Sequence, residues 1–131
     1  MFVAKDIKTG DQITSLNPVW GSRFEELRSW ANSERLVCSK CAQTLRFRVG
    51  NLRRPHFAHR VLSECPLSRQ SAEVLEAKAQ LYEWLCTKYP AKVEMDVDLH
   101  VPEWERTADL VVRLDDGKVF SYWVFDHTPR N

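Results

Sequence analysis

The sequence predicts an α+β fold in two parts, a zinc-knuckle and β-hairpin module followed by one helix and three strands. Three observations carry this. Cys38-x-x-Cys41, His56-x-x-His59 and Cys65 place five soft or borderline metal ligands within 28 residues. Helical apolar spacing then begins near Ser71 and gives way to strand-like runs. The charge changes sign at the same place: from Arg35 to Gln70 eight basic residues stand against Glu64 alone, a balance of +7, whereas residues 71–131 carry twelve acids and seven bases, a balance of −5. The expected division is therefore 1–70, an N-terminal strand and helix with a basic metal-binding module, and 71–131, an acidic remainder.

The elements follow in order. Met1 to Ala4 is a short apolar strand, Thr9-Gly10-Asp11 a turn, and Ser22-x-x-Glu25 a capping box before Phe24, Leu27, Trp30 and Ala31, which recur on one helical face. After the Cys pair, Leu45 to Val49 alternates as a strand, Gly50-Asn51 turns the chain, and a returning strand ends near Pro55. A helix from about Ser71 shows an apolar stripe of Val74, Leu75, Ala77, Leu81, Tyr82 and Leu85 and stops before Pro90. Val93, Met95, Val97 and Leu99 alternate with Glu94, Asp96 and Asp98 in a half-buried strand. Thr107 to Leu114 is the next strand, Asp115-Asp116-Gly117 a turn, and Val119 to Phe125 the last strand.

Composition excludes several classes. At 131 residues the chain suits one domain or a small metal module fused to a modest core, and 44% hydrophobic residues with five Trp are too many for disorder. MFVAKDIKTG lacks an apolar leader and a small-residue cleavage site, and no stretch approaches membrane-spanning length. A cytoplasmic location with no membrane partner is expected, and reducing conditions favour a metal over disulfides.

Thiolate and imidazole at this spacing suit a structural Zn²⁺, since two intervening residues let both sulfurs reach one tetrahedral ion. A redox reading of Cys-x-x-Cys would need a helix opening inside a βαβ pattern, which is absent. The preferred ligands are Cys38, Cys41, His59 and Cys65. His56 competes with His59, because two histidines three apart can face one ion from a helical turn; the loser would orient a ligand or meet a phosphate. Cys86, alone in a helical pattern, reads as a small buried hydrophobe. The basic run interleaves Arg46, Arg48, Arg53, Arg54 and Arg60 with Phe47 and Phe57, a pattern suited to the phosphates and bases of a nucleic acid.

Acidic residues fall at defined places in the second part. Glu73 opens the helix, Asp98 and Asp109 lie on neighbouring strands, and Asp126 is two residues after Val124. Their convergence on a divalent cation would polarise a phosphate and activate water.

The chain resembles the competence protein CoiA family from Met1 almost to its end. The resemblance rests on MFVAKD, CSKCAQTLRFRVG, RRPHFAHR, Cys65, E-x-x-x-A-K-x-x-L-Y-E-W-L and TADLVV. It implies a zinc-finger-like module joined to a truncated restriction-endonuclease-like core of the PD-(D/E)XK nuclease type, with DNA as partner and Mg²⁺ or Mn²⁺ as a second cofactor. It assigns Glu73, Asp98 and Asp109 to metal binding. Where the family carries Glu-x-Gln or Glu-x-Lys, this sequence has Val124 and Asp126; Asp126 would replace a ligand, and Lys78, five positions from Glu73, falls off that residue's helix face. The sequence ends at Asn131, where the family continues into further helix and sheet, so a protein partner or second protomer is expected to cover the open sheet. Two functions follow: a metal-dependent deoxyribonuclease, or an inactive DNA- or protein-binding adaptor that keeps only the fold and the zinc.

Overall fold

The computed structural model describes residues 1–50, 53–61, 64–101 and 104–124, with only the backbone at 100, 101 and 104–106. It divides into two compact units, Met1–Gln70 and Ser71–Asn131. Two α-helices and three antiparallel sheets occur among the described residues. No helix there is long and apolar enough to cross a membrane.

In the first unit β1 (Val3–Asp6) pairs with both β2 (Gln12–Thr14) and β3 (Leu36–Val37), giving the order β2-β1-β3. Three- and two-residue strands leave too little periodicity to be read in sequence, and neither β2 nor β3 was expected. The β1–β2 turn is held by Asp6, whose carboxylate accepts from Lys8 N–H at 2.9 Å, Thr9 Oγ1 at 3.1 Å, and Arg35 Nε and Nη2 at 2.8 and 2.7 Å. Arg35 in turn lies over the Trp30 ring, 3.8 Å from its centroid. The Arg35 guanidinium holds the buried Asp6 carboxyl well below the usual carboxylate range against the cost of its burial. A depressed folded pKa contributes stability above the unfolded value, near pH 4, and loses it as pH falls below that. Asp6→Asn should accordingly lower the urea midpoint at pH 7, with the difference from wild type shrinking on titration towards pH 2.

α1 (Phe24–Asn32) starts after Arg23, which makes no side-chain cap. The expected capping box at Ser22 does not form: Glu25 pairs with Arg28 at 2.7 Å, and Arg23 reaches Glu26 instead. The expected apolar face does form, with Leu27 and Ala31 fully buried. α1 packs on the hairpin of β4 (Leu45–Arg48) and β5 (His56–His59), through Phe24, Phe47 and Phe57 with successive ring centroids 5.8 and 5.5 Å apart. Of the expected Gly50-Asn51 turn, Asn51 lies outside the described residues.

The second unit begins with α2 (Ala72–Lys88), capped by Ser71, whose Oγ accepts the Val74 N–H at 3.2 Å. A meander β6 (Val93–Val101), β7 (Trp104–Arg113) and β8 (Val119–Tyr122) follows, in the order β6-β7-β8. The helix buries Lys78, Ala79, Tyr82 and Leu85, so the expected apolar stripe is interrupted by a lysine. In β6 the expected alternation breaks at Asp96, whose φ of 52° is left-handed in the middle of a strand. Met95 and Asp96 are consequently both buried. β8 ends at Tyr122, short of the Phe125 expected.

Candidate metal centre and the buried acidic cluster

The ligand cluster grows out of the join between β3 and β4. Cys38 follows β3 directly, and Val37 bridges Thr44, so residues 38–43 form a closed loop. Its bonds are Cys38 N–H to Gln43 O and Ala42 N–H to Cys38 O, both 2.8 Å. Ala42 takes φ 62° to complete this tight turn, which leaves the Cys41 thiol facing the Cys38 side. His59 closes β5 opposite Leu45, on the inward face that also carries Phe57. Cys65 heads the short 3-10 turn Pro66–Ser68, where Ser68 Oγ donates to the Cys65 carbonyl at 2.7 Å.

The four side chains converge. Cys38 Sγ is 3.9 Å from Cys65 Sγ, Cys41 Sγ is 3.3 Å from His59 Nε2, and all four ligand atoms lie within 4.8 Å of one another. A tetrahedral zinc with Zn–S of about 2.3 Å and Zn–N of about 2.0 Å would set sulfurs about 3.8 Å apart and sulfur to nitrogen about 3.5 Å apart. The observed pairs match those edges within a few tenths of an ångström, so the cluster fits a Cys₃His ion such as zinc. Burial pushes the Cys38 thiol up to about 11 despite the N–H groups of Cys41 and Lys40 that face it. Burial also opposes ionisation of Cys41, but hydrogen bonds from Gln43 N–H and the neighbouring thiols outweigh it and lower that pKa. The buried Cys38 thiol, which resists ionisation, needs a nearby cation to become a thiolate.

His56 is excluded from the cluster. In β5 it stands opposite Arg48 on the outward face of the hairpin, and its Nδ1 lies 2.9 Å from the Arg54 carbonyl. Two histidines three apart share a face in a helix but not in a strand, and His56–His59 is a strand.

The five candidate arginines have different placements. Arg46 and Arg48 are exposed on the outer face of β4, beside Ala58 and His56 of β5, and Arg53 is exposed nearby. Arg54 is half-buried and engaged. Arg60 turns inward: its Nη2 donates at 2.6 Å to the Ala31 carbonyl at the C-terminal end of α1, which also accepts the Glu34 N–H at 3.1 Å.

In the second unit the three described acidic candidates, Glu73, Asp98 and Asp109, do not assemble. Glu73 is exposed on α2, and Asp98 is exposed with its Oδ1 accepting from Thr107 Oγ1 at 2.7 Å. Asp126 lies outside the described residues. Among the described residues, the Cys₃His cluster is the group of three or more potential ligands with atoms close enough to share an ion; Glu73, Asp98 and Asp109 form none. Asp109 instead meets Lys78, which sequence reasoning weighed only against Glu73, and shares it with Asp96. Lys78 Nζ lies 3.3 Å from Asp109 Oδ1 and closer still to Asp96 Oδ1. Asp109 Oδ2 accepts the Val124 backbone N–H at 2.7 Å, so the position where a ligand carboxylate was sought supplies a main-chain donor. A signal for Lys78 was present: Leu75, Lys78, Tyr82 and Leu85 follow i, i+3, i+7, i+10 and lie along one helical stripe.

Comparison with known proteins places the metal centre in a family context. Residues 20–68 match the family model described as the competence protein CoiA, N-terminal domain. The matched stretch contains α1, the 38–43 loop, the hairpin and all four clustered ligands. No curated protein and no solved structure matches the chain.

Proposed function

With residues 20–68 matching the CoiA N-terminal domain, the chain is CoiA-like, and we propose that it is a DNA-binding protein whose first unit is pinned by a structural zinc. The carrying observation is the outward face of the β4–β5 hairpin, where Arg46 and Arg48 project on the side opposite the ligand His59. Alternate residues of a strand stand about 6.8 Å apart, so the pair presents a short row of fixed charges to a phosphate backbone. Arg53 extends that surface. Arg60, committed to Ala31, holds the module together.

The second unit is read as a degenerate PD-(D/E)XK-type domain. Of the two expected functions, the inactive adaptor is favoured over the nuclease by a specific observation: Asp109 is paired with Lys78 and with the Val124 N–H. Zinc-loaded protein with Mg²⁺ or Mn²⁺ should leave single- and double-stranded DNA intact. Cleavage abolished by Asp109→Ala would restore the nuclease.

DNA binding is tested by fluorescence anisotropy across a salt series. Each phosphate contact contributes about −0.9 to the slope of log K against log salt on duplex DNA. Arg46→Ala/Arg48→Ala should flatten the slope by about two, and Arg60→Ala, if folded, should leave it unchanged. Affinity indifferent to salt, or a slope untouched by the double change, would defeat the proposal.

A further inference from the structure

The Asp96–Asp109 pair is placed as a cation site would be. Met95 pairs with Leu110 and Val97 with Ala108, so Asp96 and Asp109 stand opposite each other on neighbouring strands. Like charges so placed repel, and here one of them is deep: the Asp96 side chain is 1% exposed. Asp96 reaches this position only through its left-handed backbone, in a strand that would otherwise turn it to the other face from Met95. Its Oδ2 is buried without a hydrogen-bond partner among the described residues, and burial raises its pKa against the opposing pull of Lys78. These features call for positive charge between the strands. α2 delivers it: the Lys78 side chain is 0% exposed, and its ammonium contacts Oδ1 of both aspartates.

We infer that the Lys78 ammonium is the built-in cation of this site, standing where a divalent metal would have to bind between Asp96 and Asp109. An ammonium and a Mg²⁺ or Mn²⁺ ion compete for the same carboxylate oxygens. Magnesium further requires near-octahedral oxygen ligands at about 2.0–2.1 Å, with several waters retained; a buried lysine within hydrogen-bond reach of both carboxylates repels the ion and fills its space. The divalent cofactor implied by the nuclease resemblance therefore does not fit the residues present. This inference concerns the second unit and stands apart from the DNA-binding proposal, which is read by salt dependence at the hairpin.

The test is Mn²⁺ titration of the full, zinc-loaded chain by electron paramagnetic resonance and thermal melting. Wild type should show no Mn²⁺ site that depends on Asp109, and its Tm should not respond. Lys78→Met should gain one Mn²⁺ per chain and a Tm rise of about 5–10 °C at saturating metal, both lost in Lys78→Met/Asp109→Asn. Should Lys78→Met be unfolded without metal, folding on Mn²⁺ addition is the same expected result; the Lys78→Met/Asp96→Asn/Asp109→Asn triple variant, with no charge left to compensate, should fold with no metal response. Wild-type Mn²⁺ binding lost on Asp109→Asn would overturn the inference. So would a Lys78→Met protein that ignores Mn²⁺, whether folded or unfolded.

Discussion

Replacing Cys38 by Ser should abolish zinc binding and unfold the first unit, the largest effect expected of any single change in the chain. Wild type should carry about one zinc, and the variant essentially none. Structural zinc contributes an apparent ~10–16 kcal/mol in small zinc-finger peptides near neutral pH, which exceeds the ~3–5 kcal/mol that a core of this size supplies by itself. Cys38 also sits in that core at 1% exposure, packed in one cluster with Leu36, Leu45, Phe57 and Cys65. The hydroxyl would thus leave three ligands in place of four and bury a polar group. A chelator should reproduce the effect on wild type. His56→Ala and Cys86→Ser should keep the full zinc content, because neither residue belongs to the cluster. Metal analysis and circular dichroism melting read both outcomes, and a chelated protein that stays folded would refute the structural role.

Lys78→Met should be the most damaging change in the second unit. Removing one partner of a buried ion pair leaves an uncompensated charge and typically costs about 3–5 kcal/mol; here it leaves two carboxylates facing each other across the sheet. For a unit of this size that is a fall of well over ~10 °C in Tm. The loss should be pH-dependent. Asp96 already has a folded pKa above its unfolded value, and removing the ammonium raises it further. Stability tied to such a group is present below the unfolded pKa and is lost as pH rises through the folded one. The urea midpoint of Lys78→Met should therefore climb as pH is lowered from 7 towards 5, and climb more than that of wild type, where the ammonium opposes the shift. Asp109→Asn should be milder, since its remaining carbonyl oxygen can still accept the Val124 N–H. A cost below ~1 kcal/mol for Lys78→Met would mean that water reaches the cluster and screens it.

Much of the first unit was legible because its chemistry is local. Cys-x-x-Cys spacing states a ligand pair without reference to anything distant, and the charge reversal near residue 70 is a matter of counting. The choice between His56 and His59 needed the knowledge that they lie in a strand. Phe57 was a usable clue there: alternation puts a large buried ring on the same face as His59 and sends His56 outward. Arg60 illustrates the opposite case. In sequence it is one more positive charge in a basic run, and only the nearby end of α1 makes it a structural donor.

In the second unit the elements were legible and the site was not. The helix start near Ser71 was legible from the apolar period that follows it, and the cap that fixes it reaches only three residues along the chain. Asp98 was chosen by resemblance to the family's strand position, since regular alternation puts Asp96 and Asp98 on one face; one left-handed residue instead brings Asp96 inward while Asp98 stays in solvent. Lys78 was set aside by comparison with Glu73 on its own helix, when its partners lie on β6 and β7.

The sequence by itself determined the ligand types and most of their spacing, the basic and acidic halves, and the two helices, since caps, apolar periods and thiol pairs act over a few residues. Tertiary structure decided which histidine joins the three cysteines, which arginines remain free to face a polyanion, and that Asp109 answers to a lysine. Those outcomes depend on which strand face turns inward and on charges 13 to 31 positions apart meeting in a low-dielectric interior, where a single backbone dihedral changes the partner and no local pattern records it.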